Sequence, residues 1–180
     1  MNNLALALVE MIDMSDTVML DTYKEFVQTL AHDVEHADYI VGLGAGRMGY
    51  SLRAFIMRLN HMGYNASMIG DTNVPRVTDK SLVIINTSSG ETLSMILYAK
   101  QAIDEGATVV VLTTNRKSSL AILANYVFIY APKDEFKSKQ IMKTAYEQFS
   151  YILLDAFAAD IVEINGVSKA YMEHNHSILE

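Results

Sequence analysis

"VGLGAGRMGY", residues 41–50, is the stretch on which the fold turns. Its glycines, Gly44, Gly46 and Gly49, are spaced G-x-G-x-x-G. The apolar run "DYIV" leads into them and a helical pattern, "SLRAFIMRL", leads out. A strand that turns through glycines into a helix places the free amides of the helix start against an anion. By pattern this is a dinucleotide-binding fingerprint. Asp71, at the end of "MIGD", stands about where a ribose-binding acid would. Asp71 also reads as a turn residue in "GDTNVP". Arg47, inside the glycine loop, suits a smaller phosphate.

Outward from this loop, short apolar and β-branched runs alternate with helical stretches. The runs are residues 39–43, 65–69, 82–86, 108–112 and 126–130. Segments such as "ETLSMILYAKQAIDEG" read as amphipathic helices closed by glycine. This alternation predicts an α/β fold, a three-layer α/β/α sandwich around five parallel strands. The expected order is 2-1-3-4-5, the flavodoxin-like winding. Two helices are expected in residues 1–37, before the core at 38–132. Leu4, Leu8, Met11 and Ile12 share one face of the first helix. Tyr23, Phe26, Val27, Leu30 and Val34 share one face of the second, with Ser15 or Asp16 as its cap. The final segment, 133–180, opens on the polar run "KDEFKSKQ". A long helix is expected over roughly 139–163, then a polar tail with two histidines. Nothing in the chain reads as a linker, so all 180 residues are read as a single domain.

Composition narrows the function. An apolar share of 51% against 19% charged residues describes a globular core rather than a disordered chain. A net charge of −7 repels nucleic acid and anionic lipid, so neither is expected as a partner. The absence of cysteine excludes disulfides, thiolate catalysis and cysteine-bound zinc, and fits a cytoplasmic location. No signal peptide or membrane span is apparent. His32 and His36 stand at i, i+4, but without an H-E-x-x-H pattern they read as a solvated helix face rather than a metal site.

In the expected winding the first and third strands are neighbours whose connections leave in opposite directions. A crevice opens at their carboxyl ends. "GAGRMG" leaves the first strand there, and "NTSSGET", residues 86–92, leaves the third. Thr87, Ser88, Ser89 and Thr92 supply hydroxyls at a helix start, and Gly90 permits close backbone approach. A dinucleotide has no need of this second, hydroxyl-rich loop. The pair of loops favours one phosphate monoester.

These loops resemble the sugar isomerase (SIS) domain family and, within it, the 6-phospho-3-hexuloisomerases. The similarity runs from about residue 38 to the end. It rests on "GAGRMG" with "RAFIMRLNHMGYN", on "SSGET", on "LTTN" with "SSLAILA", on "YEQ" and on the terminal "HSILE". The resemblance implies interconversion of 3-hexulose 6-phosphate and fructose 6-phosphate through an enediolate, with no metal or other cofactor. It implies phosphate and substrate binding by Gly46, Arg47, Thr87, Ser88, Ser89, Gly90, Glu91 and Thr92. Glu147, in "YEQ", becomes the general base, and His176 serves hydroxyl proton exchange or ring opening. His61 stands where the family also has a histidine, placed either to reach a neighbouring subunit's pocket or simply to cap the helix end. The family's habit implies a homo-oligomer, a dimer or tetramer, with active sites shared between chains. Family members read G-R-S-G where this chain has Arg47-Met48-Gly49, and Q-P-M-G where it has Gln140-Ile141-Met142-Lys143. A sugar-phosphate sensor without catalysis, an isomerase for another phosphosugar and a nicotinamide-dependent reductase are the alternatives.

Overall fold

The apolar runs form five strands in a computed structural model that describes residues 2–131 and 136–178. They are β1 (Tyr39–Leu43), β2 (Ala66–Met68), β3 (Ser81–Asn86), β4 (Thr108–Thr113) and β5 (Tyr126–Ile129). All pair in parallel, in the order β2-β1-β3-β4-β5. β3 is buried at every position, as its central apolar run, Leu82–Ile85, demands of a strand covered on both faces. Seven helices complete the described chain: α1 (Asn3–Asp16), α2 (Leu20–His36), α3 (Gly46–His61), α4 (Leu93–Asp104), α5 (Ser119–Leu123), α6 (Thr144–Ile164) and α7 (Lys169–Asn175).

Side chains alternate along each strand between two cores. Ile40, Leu82, Ile84, Val110 and Leu112 face the layer made by α2, α3 and α6. Val41, Val83, Ile85, Val109 and Val111 face α4 and α5. Phe26 of α2 packs on Phe128 of β5 and Phe157 of α6, with ring centroids 4.8 Å and 5.2 Å away. Among the described residues, no helix is long and apolar enough to cross a membrane.

The N- and C-terminal segments depart from the sequence reading. α2 begins after Met19, whose side chain makes no capping bond; Ser15 and Asp16 belong to the end of α1, and the Ser15 hydroxyl bonds the Ile12 carbonyl. On α1 the stripe of Leu4, Leu8 and Ile12 is exposed at 60–70%, and the buried side belongs to Glu10 and Met14. The long helix starts at Thr144, not 139. Glu10 accounts for the shortening. Its carboxylate accepts from the Ser138 hydroxyl (2.7 Å), the Lys139 amide (2.6 Å) and the Gln140 side chain (3.1 Å). Those bonds hold the irregular approach to α6, and Met142 then turns through a positive φ of 53°. The polar tail contains α7, capped by the Ser168 hydroxyl. Pro132, the opening of the polar run at 133–135, and Leu179 and Glu180 of "HSILE" lie outside the described residues.

Candidate functional site

β1 and β3 are adjacent, and the connections after them diverge to α3 and α4, so the expected crevice is present. After β1, the backbones of Gly44 and Gly49 touch. A Cβ on Gly49 would lie 2.5 Å from the Gly44 carbonyl oxygen, so these two glycines bring strand and helix together. Gly46, with φ +55°, begins α3 and has open space where a side chain would stand. Met48 is buried, with its sulfur 3.8 Å from the Ser150 hydroxyl; the residue that replaces the family's serine points into the core.

After β3, the carbonyls of Ser88, Ser89 and Gly90 all turn toward β4 and α5. Ser88 accepts from the hydroxyls of Thr113 (3.1 Å) and Thr114 (2.9 Å), Ser89 from the Asn115 side chain (3.3 Å), and Gly90 from the Leu120 amide (3.2 Å). A trans peptide places its N–H opposite its carbonyl, so the amides of Ser89, Gly90 and Glu91 point away from these partners. Successive amides aimed one way suit an anion, although two of these three already have partners within the loop. The hydroxyls of Thr87 and Ser89 take the Gly90 and Glu91 amides at 3.2 Å and 3.3 Å. Thr92 stands at the start of α4 without a side-chain capping bond, which leaves the first-turn amides of that helix available to a ligand. Glu91 is committed elsewhere: its carboxylate accepts from the Ser119 amide (2.9 Å) and hydroxyl (2.8 Å) at the start of α5. Gly90 itself, at φ +69°, sits so close to Ser118 that a Cβ would fall 2.1 Å from that hydroxyl oxygen.

Arg47 and Glu147 form an ion pair through the arginine Nε–H. The guanidinium is 64% exposed and the carboxylate 19%, so the pair straddles the boundary between protein and solvent. Both line a cleft of about 540 Å³ whose other walls include Leu4, Leu8, Tyr50 and Tyr151. Asp71, the candidate ribose ligand, is instead taken up by Arg53 at 3.1 Å and by the Met68 amide at 3.0 Å. The Arg53 hydrogen bonds, followed by the Met68 amide, hold its carboxyl below the usual value. It is a turn residue with an ion pair.

His176 lies far from Glu147 in its own chain. Its ring stands 4.8 Å from that of His61 at the far end of α3, and Asn175 fixes the approach by donating to the His61 carbonyl (3.1 Å). Arg47 and His61 are separated by about 21 Å along the helix at 1.5 Å per residue. His61, His176, Arg58 and Lys169 line a separate cleft of about 500 Å³. His32 and His36 stack at 4.2 Å on the exposed side of α2. Among the described residues, no three His, Asp or Glu side chains converge as a metal site requires.

The sequence reading missed one polar cluster. Asn86, the last residue of β3, is fully buried with Ser51 of α3 and Ser150 of α6. A lone amide at the end of "LVIIN" is the only sequence signal for it.

A family model for the SIS domain matches residues 34–158. A Bacillus subtilis (strain 168) protein named 3-hexulose-6-phosphate isomerase is 34% identical over 162 residues, covering 87% of this chain and 88% of its own. A Mycobacterium gastri protein of the same name is 30% identical over 184 residues, covering 99% of this chain and 90% of its own. A crystal structure of a Methanococcus jannaschii protein, from which a function of 3-hexulose-6-phosphate isomerase was inferred, matches with a TM-score of 0.87 and 25% identity over the whole of both chains.

Proposed function

This chain belongs to the SIS domain family, and we propose that it is a sugar-phosphate isomerase that interconverts 3-hexulose 6-phosphate and fructose 6-phosphate. The observation that carries the reading is the Arg47–Glu147 pair beside two helix starts at the switch point of the sheet. Relatives of that name at 30% and 34% identity over most of both chains support it.

In this reading the phosphate sits in the loop of residues 87–92, facing the start of α3 at Gly46. Its charge competes for the Arg47 guanidinium, and Glu147 is released to act as the base. With 3-hexulose 6-phosphate, Glu147 takes the proton from C2, the C2–C3 enediolate forms, and the proton returns at C3. A second group moves the hydroxyl proton from O2 to O3. His176 is proposed for that task, with His61 beside it, from a second copy of the chain. The opposite positions of Glu147 and the histidine pair along α3 support such sharing, as does the exposed Leu4, Leu8 and Ile12 stripe.

Carbon-13 NMR tests the reaction. Fructose 6-phosphate labelled at C2 should lose its furanose hemiketal signal in favour of a carbinol carbon, with deuterium from solvent appearing at C2 or C3. Heat protection by fructose 6-phosphate without either change would mark a sensor. Protection by a nicotinamide dinucleotide instead would favour a reductase.

A further inference from the structure

We infer that Asn86 is a positioning residue that holds Arg47 and Glu147 in register across the crevice. Its side-chain nitrogen lies 3.0 Å from the Met48 carbonyl, 2.9 Å from the Ser51 hydroxyl and 3.3 Å from the Ser150 hydroxyl. The Met48 carbonyl belongs to the residue after Arg47. Ser150 donates to the Glu147 carbonyl at 3.1 Å, and the two serine hydroxyls are 2.8 Å apart. One amide at the tip of β3 therefore joins the backbone that carries the arginine to the backbone that carries the carboxylate. It is also the residue from which the 87–92 loop departs.

The orientation of the amide follows from its partners. Met48 offers a carbonyl, which only accepts, so the NH₂ group faces it and the Asn86 oxygen faces the other way. That oxygen is buried without a hydrogen-bond partner among the described residues. An unsatisfied buried acceptor destabilises the fold. Each serine hydroxyl has one proton, and the carbonyls of Met48 and Glu147 take both. The donors that the two hydroxyl oxygens, 2.8 Å apart, can share are those of the Asn86 amide, 2.9 Å and 3.3 Å away. An apolar side chain at position 86 would leave that contact without a proton. What it adds is geometry: it sets the relative height of the starts of α3 and α6.

The inference rests on the isomerase reading only for its kinetic arm. The experiment compares wild type, Asn86→Leu, which keeps the branching and removes the donor, Ser150→Ala and the double variant. Both single variants should lose turnover by about 10–100-fold, the scale of a small misplacement of reacting groups. KM for fructose 6-phosphate should stay within about threefold, because the phosphate loop is intact. The losses should not add in the double variant, since both substitutions cut one network. Amide hydrogen exchange should quicken together in residues 46–51 and 144–150, with the thermal midpoint within about 5 °C of wild type. Unchanged turnover, or a loss that is matched in KM, overturns the inference. So does additive loss. If wild type interconverts no hexulose phosphate, the isomerase reading fails and the exchange arm decides alone: unaltered exchange at 144–150 refutes positioning. Should Asn86→Leu not fold, Ser150→Ala carries both arms.

Discussion

Arg47 and Glu147, a hundred residues apart in sequence, are joined by an ion pair between the starts of α3 and α6. The arginine is mostly exposed, so the pair contributes little to stability. In the proposed reaction it holds a carboxylate and a guanidinium together until the substrate's phosphate divides them.

Substitution of each partner should separate binding from turnover. Arg47→Ala should weaken fructose 6-phosphate binding by about 10–100-fold, the loss of one charge-assisted contact. Glu147→Gln keeps the shape of the side chain and should leave affinity within a few-fold, while turnover falls by about 10²–10⁴-fold. Calorimetry and a coupled assay read the two quantities. Near-normal turnover in Glu147→Gln would place the base elsewhere.

The hydroxyl loop should matter for ligand more than for fold. Thr92 makes no capping bond, so Thr92→Ala should leave the thermal midpoint unchanged and cost about 1.5–3 kcal/mol of sugar-phosphate affinity. Ser89→Ala should lose similar affinity together with a small amount of stability, because its hydroxyl also accepts the Glu91 amide. Affinity unchanged from wild type in both variants would move the phosphate away from residues 87–92.

Stability should decline in acid through Glu10. Burial alone would raise its carboxyl. The bonds from Ser138, the Lys139 amide and Gln140 outweigh that and hold it below the ordinary value of 4.5. A group whose value is depressed by folding contributes in full above its unfolded value and loses that contribution as pH falls through the folded one. Wild type should therefore melt above Glu10→Gln at neutral pH, and the gap should close as pH falls below the ordinary carboxylate value and through the depressed one. A gap that persists in acid would show that charge is not what Glu10 supplies.

Active-site sharing predicts complementation. Glu147→Gln and His176→Ala proteins should each be inactive. After mixing and reassembly, confirmed by mass spectrometry, part of the activity should return, since mixed assemblies contain sites with both residues intact. Confirmed exchange with no recovery would assign both residues to one chain's site.

The sheet was legible because parallel strands covered on both faces need long apolar runs, and "LVIIN" and "TVVVL" have no other comfortable home. The two loops were legible because glycines and hydroxyls after such runs have few other uses. The start of α6 was not. Residues 139–143 carry no helix breaker, and what holds them out of the helix is a carboxylate about 130 residues earlier in the chain. Local propensity is blind to such a partner. The α1 stripe misled for a related reason: periodicity reveals a face, but not whether this chain alone covers it. Glu10 and Asp13 look alike in sequence, yet only Glu10 is buried.

The packing of Phe26 on Phe157 sets a timetable for synthesis. α2 leaves the ribosome early with an aromatic face whose cover, α6, is made more than a hundred residues later. At ordinary elongation rates that gap is on the order of ten seconds. During it the face that α2, α3 and α6 share is only partly covered. Glu147, carried by α6, thus meets Arg47 among the last events in the life of the growing polypeptide.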